Sequence, residues 1–75
     1  MASVEVKCYA TLTQHQPEGG RVDITPGETL GQLADRLAIP RDQVTIRFVN
    51  GAHSSWDTAL SDNDRVGLFP AVGGG

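Results

Sequence analysis

The sequence has a single cysteine and no apolar run long enough to cross a membrane. Because Cys8 has no partner in the chain, an intramolecular disulfide is excluded and the fold must depend on packing, which suits a reducing compartment. Residues 1–4 lack the basic and apolar regions of a secretory signal peptide. We therefore expect a cytoplasmic protein, and a length of 75 residues is enough for one small domain.

Basic residues are scarce, since one lysine and five arginines stand against nine acidic residues. The formal net charge is -3 and the isoelectric point is near 5.0. This balance argues against nucleic acid or an anionic membrane surface as the partner. It favours instead a basic docking surface on another protein.

The chain also lacks recognisable catalytic machinery. It has no P-loop and no Gly-x-Gly-x-x-Gly motif, so it has no built-in site for nucleotide phosphates. His15 and His53 do not stand with Cys8 at a metal-ligand spacing. The acidic run Asp62-Asn63-Asp64 lacks the rest of a calcium loop and is typical of a turn. We predict no metal and no bound cofactor, and a protein that is not an enzyme but acts with partner proteins.

The first half of the chain alternates between apolar and polar residues with the period of a strand. The alternation runs over residues 4–12, with Cys8 facing inward as a small hydrophobe and Tyr9 facing outward. Residues 13–20 contain Pro17 and two glycines and are predicted to form a loop. Residues 21–24 alternate again, which predicts an antiparallel hairpin with the first strand.

A helix is predicted to begin at Thr29, because Gln32 stands three residues later at the spacing of a capping box. The apolar stripe has helical spacing and consists of Leu30, Leu33, Ala34 and Leu37. Pro40 is predicted to end a helix of about ten residues. Such a short helix needs a sheet to hold it.

The second half predicts three more strands. Residues 44–49 form one strand, Asn50-Gly51 is a hairpin turn, and residues 52–56 return. A two-residue turn places His53 on the same face as Phe48, so either both face outward or a bulge intervenes. The last strand covers residues 65–69. The order β-β-α-β-β-β predicts an α+β fold in which one helix covers one face of a mixed sheet and the other face stays open to a partner.

The end of the chain is rich in glycine. Residues 71–75 follow Pro70 and finish with Gly73-Gly74-Gly75, which cannot support a core. A segment without bulky side chains can enter a narrow channel in another protein, and it reaches on the order of 15 Å when extended. The alternative is an inert terminus or an expression remnant.

The closing residues, from Asp62-Asn63-Asp64 through Leu68-Phe69-Pro70 to the glycines, resemble the closing motif of the MoaD/ThiS sulfur carriers. This ubiquitin-like family includes the small subunit of molybdopterin synthase. Val49-Asn50-Gly51 resembles the hairpin of the family, and Tyr9-Ala10-Thr11-Leu12 resembles its first strand. The resemblance implies a β-grasp domain over residues 1–70 and a flexible tail over residues 71–75.

The resemblance also implies a function. An E1-like adenylating enzyme uses ATP in trans to activate Gly75, which with Gly74 matches the terminal pair of the family, and the product is a thiocarboxylate that donates sulfur in cofactor biosynthesis. The pathway favoured is molybdopterin synthesis, with the large subunit of molybdopterin synthase or another sulfur-accepting enzyme as second partner. The residues expected to bind these partners are Tyr9, His53, Phe69, Pro70, Val72 and Gly73. His53 is polar where relatives tend to be apolar.

Three alternatives remain open at this stage. The chain can be a sulfur carrier for thiamine or cysteine biosynthesis. It can be a ubiquitin-like modifier that is joined through Gly75 to lysines of target proteins. It can also be a plain interaction domain with an inert tail, in which case deletion of Gly74 and Gly75 leaves its function intact. Only a free terminal glycine can be activated, so it matters whether Gly75 is the encoded end or is exposed by processing.

Overall fold

The computed structural model describes residues 2–70. Five strands form one mixed sheet in the order β2-β1-β5-β3-β4, and one α-helix packs against it. The elements are β1 (Ser3–Cys8), β2 (Arg21–Asp23), α1 (Leu30–Arg36), β3 (Val44–Val49), β4 (Ala52–His53) and β5 (Arg65–Pro70). This confirms the predicted element order and the α+β class. The central strand β5 runs parallel to β1 and antiparallel to β3.

The core lies between the sheet and the helix. Its fully buried members include Val4 and Val6 of β1 and Leu30 and Leu33 of α1. The complete set of buried apolar residues is Val4, Val6, Cys8, Leu12, Ile24, Leu30, Leu33, Ala34, Ile39, Val44, Val49, Leu60, Val66 and Leu68. The alternation of β1 is thus confirmed as far as Cys8.

Beyond Cys8 the sequence prediction was wrong, because β1 stops there and a 3-10 helix occupies Ala10–His15. Ala10 is exposed and has a φ of 52°, so it turns the chain instead of continuing the strand. Leu12 does reach the core, but from the 3-10 helix. The apolar spacing therefore imitated a longer strand. The predicted loop over residues 13–20 contains the end of this helix and a second one, Glu18–Gly20.

Gln16, between these two 3-10 helices, completes the outer edge of β1 where β2 does not reach. Its side-chain amide donates to the carbonyl oxygen of Val6 at 2.6 Å, and its Oε1 accepts from the N–H of Cys8 at 2.7 Å. A side-chain amide thus takes the place of a neighbouring strand and satisfies two backbone groups.

The helix begins as predicted. The Thr29 side chain accepts from the Gln32 N–H while the Gln32 side chain accepts from the Thr29 N–H, which completes the capping box. The N–H groups of Leu30 and Gly31 donate to the carbonyl oxygens of Thr58 and Trp56, so the loop after β4 satisfies the helix start. The helix is shorter than predicted.

The helix ends at Arg36, before Pro40 can act, because Ala38 takes a left-handed φ of 59° and turns the chain. Leu37, the last residue of the predicted stripe, is only half-buried, whereas the other members are buried. The end of the helix is therefore set by the local backbone at Ala38 and not by the proline.

A bulge at Thr45 decides the facing of β3. Val44 pairs with Pro70 and Ile46 pairs with Phe69, so Thr45 has no counterpart in β5. Val44 and Val49 can therefore both face the core, while Ile46 and Phe48 face the opposite side. Both of the alternatives left open for this strand occur together, since a bulge is present and Phe48 and His53 face outward. The Asn50-Gly51 turn is confirmed, with φ values of 54° and 81°.

Candidate functional site

The face of the sheet opposite the helix is assembled from alternate residues of three strands. In β5, Val66 and Leu68 are buried in the core, which directs Gly67 and Phe69 to the opposite side. Parallel pairing places Lys7 of β1 beside Gly67. Antiparallel pairing places Phe48 of β3 on the other side of Gly67.

An aromatic cluster covers the centre of this open face. Tyr9 and Phe69 stack with ring centroids 4.1 Å apart and planes 4° from parallel. Phe48 meets Phe69 edge to face at 5.8 Å, and His53 meets Phe48 in the same way at 6.1 Å. We call Tyr9, Phe48, His53 and Phe69 the aromatic cluster. Tyr9 retains 36% of its accessible surface and the neighbouring Ile46 retains 37%, so an apolar patch faces solvent. Such a contiguous patch is typical of a protein interaction site.

A depression of about 310 Å³ lies beside the cluster. Its lining includes three aromatic rings of the cluster and Gly67, with the charged side chains of Glu5, Lys7 and Arg65 around them. Arg65 Nε lies 3.9 Å from Glu5 Oε2, a long and exposed ion pair. Lys7 Nζ lies 6.0 Å from the centroid of the Tyr9 ring. The depression can accept an apolar side chain flanked by a charged group.

The structure brings three of the expected partner-binding residues together, because Tyr9, His53 and Phe69 all belong to the aromatic cluster. Pro70 is buried at the end of β5 and pairs with Val44. Val72, Gly73, Gly74 and Gly75 lie outside the described residues. The binding role of these residues remains a prediction.

Phe48 was not assigned to the site from the sequence, although it contacts both Phe69 and His53. The facing of Phe48 was left open at the level of the sequence, and it is the bulge at Thr45 that separates Val44 from Ile46 and Phe48. The available signal was the two-residue Asn50-Gly51 turn, which requires Phe48 and His53 to lie opposite each other.

Trp56 lies on the other side of the sheet and anchors the loop after β4. It packs against the core, and its carbonyl oxygen accepts from Gly31 at the start of α1. The guanidinium groups of Arg41 and Arg47 lie 5.5 and 4.8 Å from its ring centroid. Arg41 also binds Asp35 in a bidentate ion pair at 2.8 and 3.0 Å. These contacts hold the loop against the helix.

Cys8 faces the core, as predicted, with 3% of its surface accessible. Burial raises the pKa of its thiol, which disfavours the thiolate that a nucleophile requires. Within residues 2–70, no group of three or more His, Cys, Asp or Glu side chains is arranged to hold a metal ion. No helix in this part of the chain is long and apolar enough to cross a membrane.

Comparison with solved structures finds close matches to the fold. The crystal structure of small archaeal modifier protein 1 from Haloferax volcanii is 24% identical, with a TM-score of 0.77, and the match covers 96% of this chain and 100% of that one. A putative molybdopterin converting factor subunit 1 from Pyrococcus furiosus is 25% identical, with a TM-score of 0.76 and the same coverage. These matches confirm the predicted ubiquitin-like β-grasp fold.

Comparison with curated protein sequences finds no significant match. A family model does match, and it covers residues 7–75, which is nearly the whole chain. The model is that of the ThiS family, in agreement with the resemblance carried by the closing residues of the sequence. The chain therefore belongs to the ThiS family of small ubiquitin-like carrier proteins.

Proposed function

We propose that this chain is a sulfur carrier for molybdopterin synthesis that works through its C-terminal Gly75. The supporting observation is the position of the aromatic cluster at the carboxyl end of β5, since Phe69 belongs to the cluster and Pro70 ends the strand. Gly75 stands six positions after Phe69, a reach of about 20 Å when extended. A partner that docks on the cluster therefore has the terminal carboxylate within reach of its own active site.

The chemistry begins with activation, because a carboxylate is a poor acyl donor. A carboxylate oxygen of Gly75 attacks the α-phosphorus of ATP, pyrophosphate leaves, and an acyl-adenylate forms. The chain has no phosphate-binding loop, so an E1-like adenylating enzyme supplies the ATP site. The outer sulfur of a donor persulfide then attacks the carbonyl carbon and displaces AMP, which gives an acyl disulfide. A thiol attacks the donor-side sulfur of this S–S bond, so that the donor leaves as a disulfide and a thiocarboxylate remains on Gly75.

The second partner is a sulfur-accepting enzyme, for which we propose the large subunit of molybdopterin synthase. This choice rests on the Leu68-Phe69-Pro70 motif and on the similarity to the Pyrococcus furiosus protein named as a molybdopterin converting factor subunit. The thiocarboxylate sulfur attacks an electrophilic carbon of a precursor held by that enzyme and displaces a leaving group from it, which gives a thioester. Hydrolysis of the acyl carbon–sulfur bond leaves the sulfur on the product and restores the Gly75 carboxylate. Both partners dock on the aromatic cluster in turn, and we place these reactions in the cytoplasm.

The activation step is tested by ATP–pyrophosphate exchange with the purified adenylating enzyme of the same organism. We expect exchange that depends on the full chain and is lost when Gly74 and Gly75 are deleted. The deletion leaves all residues of β5 (Arg65–Pro70) in place, so its thermal unfolding should match that of the full chain, which serves as the folding control. Equal exchange with and without these two glycines would contradict the proposal and favour an inert terminus.

A second candidate is a protein modifier, favoured by the similarity to small archaeal modifier protein 1. The same adenylated terminus would then be attacked by a lysine amine of a target protein, with an isopeptide bond as the product. Fragmentation of tryptic peptides from the native cell separates the two functions. Target lysines that carry the terminal residues of this chain indicate a modifier, whereas a carrier leaves no such adducts.

A further inference from the structure

Gly67 occupies the middle of the central strand, where a glycine costs stability. It lies between Lys7 of β1 and Phe48 of β3 in the sheet. A glycine in a strand loses more conformational freedom on folding than any other residue and contributes no side chain to the packing. A structural or functional reason for this glycine is therefore expected.

The backbone does not require it. In residues 2–70, four glycines have a positive φ that disfavours other residues, namely Gly19, Gly20, Gly27 and Gly51. A Cβ at Gly31 would lie 2.7 Å from Nη2 of Arg41, a guanidinium that its ion pair with Asp35 holds in place. Gly67 has neither feature. The closest atoms to a Cβ at this position would be Phe48 Cβ and Phe69 Cε1 at 3.8 Å and Tyr9 Cε2 at 3.9 Å, which are ordinary van der Waals distances.

A methyl group at Gly67 would instead project between the rings of Tyr9 and Phe69 and the Cβ of Phe48, into the depression on the open face. The glycine thus keeps open a space that the fold itself does not need. The depression has the size and apolar lining for one inserted side chain. Its position at the centre of the patch is where interfaces concentrate their binding energy.

The charge of this face differs from that of the whole chain. Strand pairing directs three basic residues to the open face with two acidic ones, and these are Lys7, Arg21, Arg65, Glu5 and Asp23. The open face thus has a formal charge of +1. The rest of the chain has three basic and seven acidic residues and therefore a formal charge of -4. Glu5 lies near Arg65, and within residues 2–70 no carboxylate forms an ion pair with Lys7. The basic partner surface expected from net charge does not fit this face.

We propose that the depression over Gly67 is an anchor pocket that receives one apolar side chain of the partner protein, with a carboxylate of the same partner beside Lys7 and Arg65. The inference rests on the proposed function, because it assumes that partners dock on the aromatic cluster. It adds the chemistry of the partner surface, which is an apolar side chain with an acidic neighbour. Gly67 excludes side chains of the carrier itself from the pocket.

The test is the affinity of Gly67→Ala for the purified adenylating enzyme, measured by calorimetry beside thermal unfolding of the free chain. We expect the variant to unfold at the same temperature as the wild type or higher, and to bind about tenfold more weakly. Ala52→Val is the size control, since Ala52 is exposed on β4 and pairs with the buried Val49, which places its side chain on the face opposite the pocket. It should bind as the wild type does.

A second pair of variants tests the acidic complement. Lys7→Gln and Gln43→Glu change the net charge equally, but Gln43 is exposed in the 3-10 helix Arg41–Gln43 and lines a groove with Asp35 and Pro40 instead of the depression over Gly67. At low salt we expect Lys7→Gln to weaken binding about threefold more than Gln43→Glu, and the difference to shrink as salt is added.

The outcomes separate the two proposals. A wild-type chain that does not bind or support exchange overturns the proposed function, and the anchor pocket with it. A wild-type chain that binds, together with Gly67→Ala binding equally well, overturns the anchor pocket alone. If Gly67→Ala unfolds at a lower temperature than the wild type, the test rests on the two charge variants. Equal affinities of Lys7→Gln and Gln43→Glu for the adenylating enzyme would then overturn the proposed acidic partner surface.

Discussion

The two faces of the sheet come from alternate residues of the same strands, yet their apolar side chains meet different neighbours. On the helix-covered face, Leu30 and Leu33 of α1 close over β1 and β5, and the side chains there are almost fully buried. On the open face, Tyr9 and Phe69 stack on each other and stay in contact with solvent. The helix-covered face thus contains the buried core of the domain, whereas the open face keeps apolar side chains accessible to solvent.

The largest effect on the free energy of unfolding is expected from a substitution on the helix-covered face. Leu33→Ala removes a side chain that is 1% exposed and leaves a cavity under the helix, so we expect a loss of about 2–5 kcal/mol in the free energy of unfolding. Ile46→Ala on the open face is the matched truncation, and it should cost less than half of this because Ile46 is 37% exposed. Urea denaturation measures both. Equal losses would contradict the division between the faces.

The next largest effect is expected when one aromatic residue on each face is replaced by alanine and docking affinity and stability are both measured. Tyr9→Ala should weaken docking to the adenylating enzyme by about 2 kcal/mol, as expected for a central aromatic contact, and cost the free chain about 1 kcal/mol. Trp56→Ala is the counterpart on the covered side, where the ring packs against the core. It should destabilise the chain more than Tyr9→Ala does and leave the docking affinity of the folded protein unchanged. The reversed pattern would contradict the assignment of the docking face.

Cys8 tests whether the covered face takes part in the chemistry. Cys8→Ser places a hydroxyl group among apolar neighbours, and we expect a loss of about 1–3 kcal/mol in stability with sulfur transfer retained. Cys8→Ala, which adds no polar group, is the control for lost volume. A Cys8→Ser variant that is well folded but inactive in transfer would show that the thiol is a reactant.

The smallest expected effect is the pH dependence that arises from Glu28. Burial by itself would raise the pKa of this carboxyl group, but hydrogen bonds from Arg36 and from the N–H of Thr25, together with the charge of Arg36, outweigh it and lower the pKa. Because the folded pKa lies below that of an unfolded glutamate, about 4.3, the stabilisation is fully present above that pH. It is lost as the pH falls through the folded pKa.

Glu28→Gln should therefore cost about 1–2 kcal/mol at pH 7, with the ion pair discounted because Arg36 is half-exposed. The difference from the wild type should shrink at pH 3, as measured by denaturation at both values. Docking at pH 7 should not change, since Glu28 lies next to the helix and away from the open face. A difference that is independent of pH would show that Glu28 acts by packing alone.

Local signals in the sequence were sufficient for much of the fold. The alternation of Val4, Val6 and Cys8 and the capping box at Thr29 each involve neighbouring residues, so they can be recognised without the tertiary structure. The shift in facing at Thr45 could not be seen, because a bulge is defined by pairing with β5. The 3-10 helix Ala10–His15 was missed for a similar reason, since Leu12 reaches the core with the spacing of a strand.

The candidate site was only partly predictable. Tyr9 directly follows β1, whereas His53 belongs to β4 and Phe69 to β5, and the three were grouped by family resemblance and strand phase. Phe48, which links them, depends on the bulge. The role of Gly67 required the distances across three strands, because a glycine in a strand has no distinguishing local pattern. The charge of the open face likewise requires the strand register.

The most direct test of the account is the intact mass of the chain isolated from its native cell, with fragmentation to locate any change. Localisation is necessary because oxidation of Met1 or Cys8 adds nearly the same mass as the exchange of oxygen for sulfur. The account predicts a sulfur-for-oxygen exchange on Gly75. An unmodified Gly75 carboxylate, whether accompanied by adducts on target lysines or without them, would contradict the assignment as a sulfur carrier.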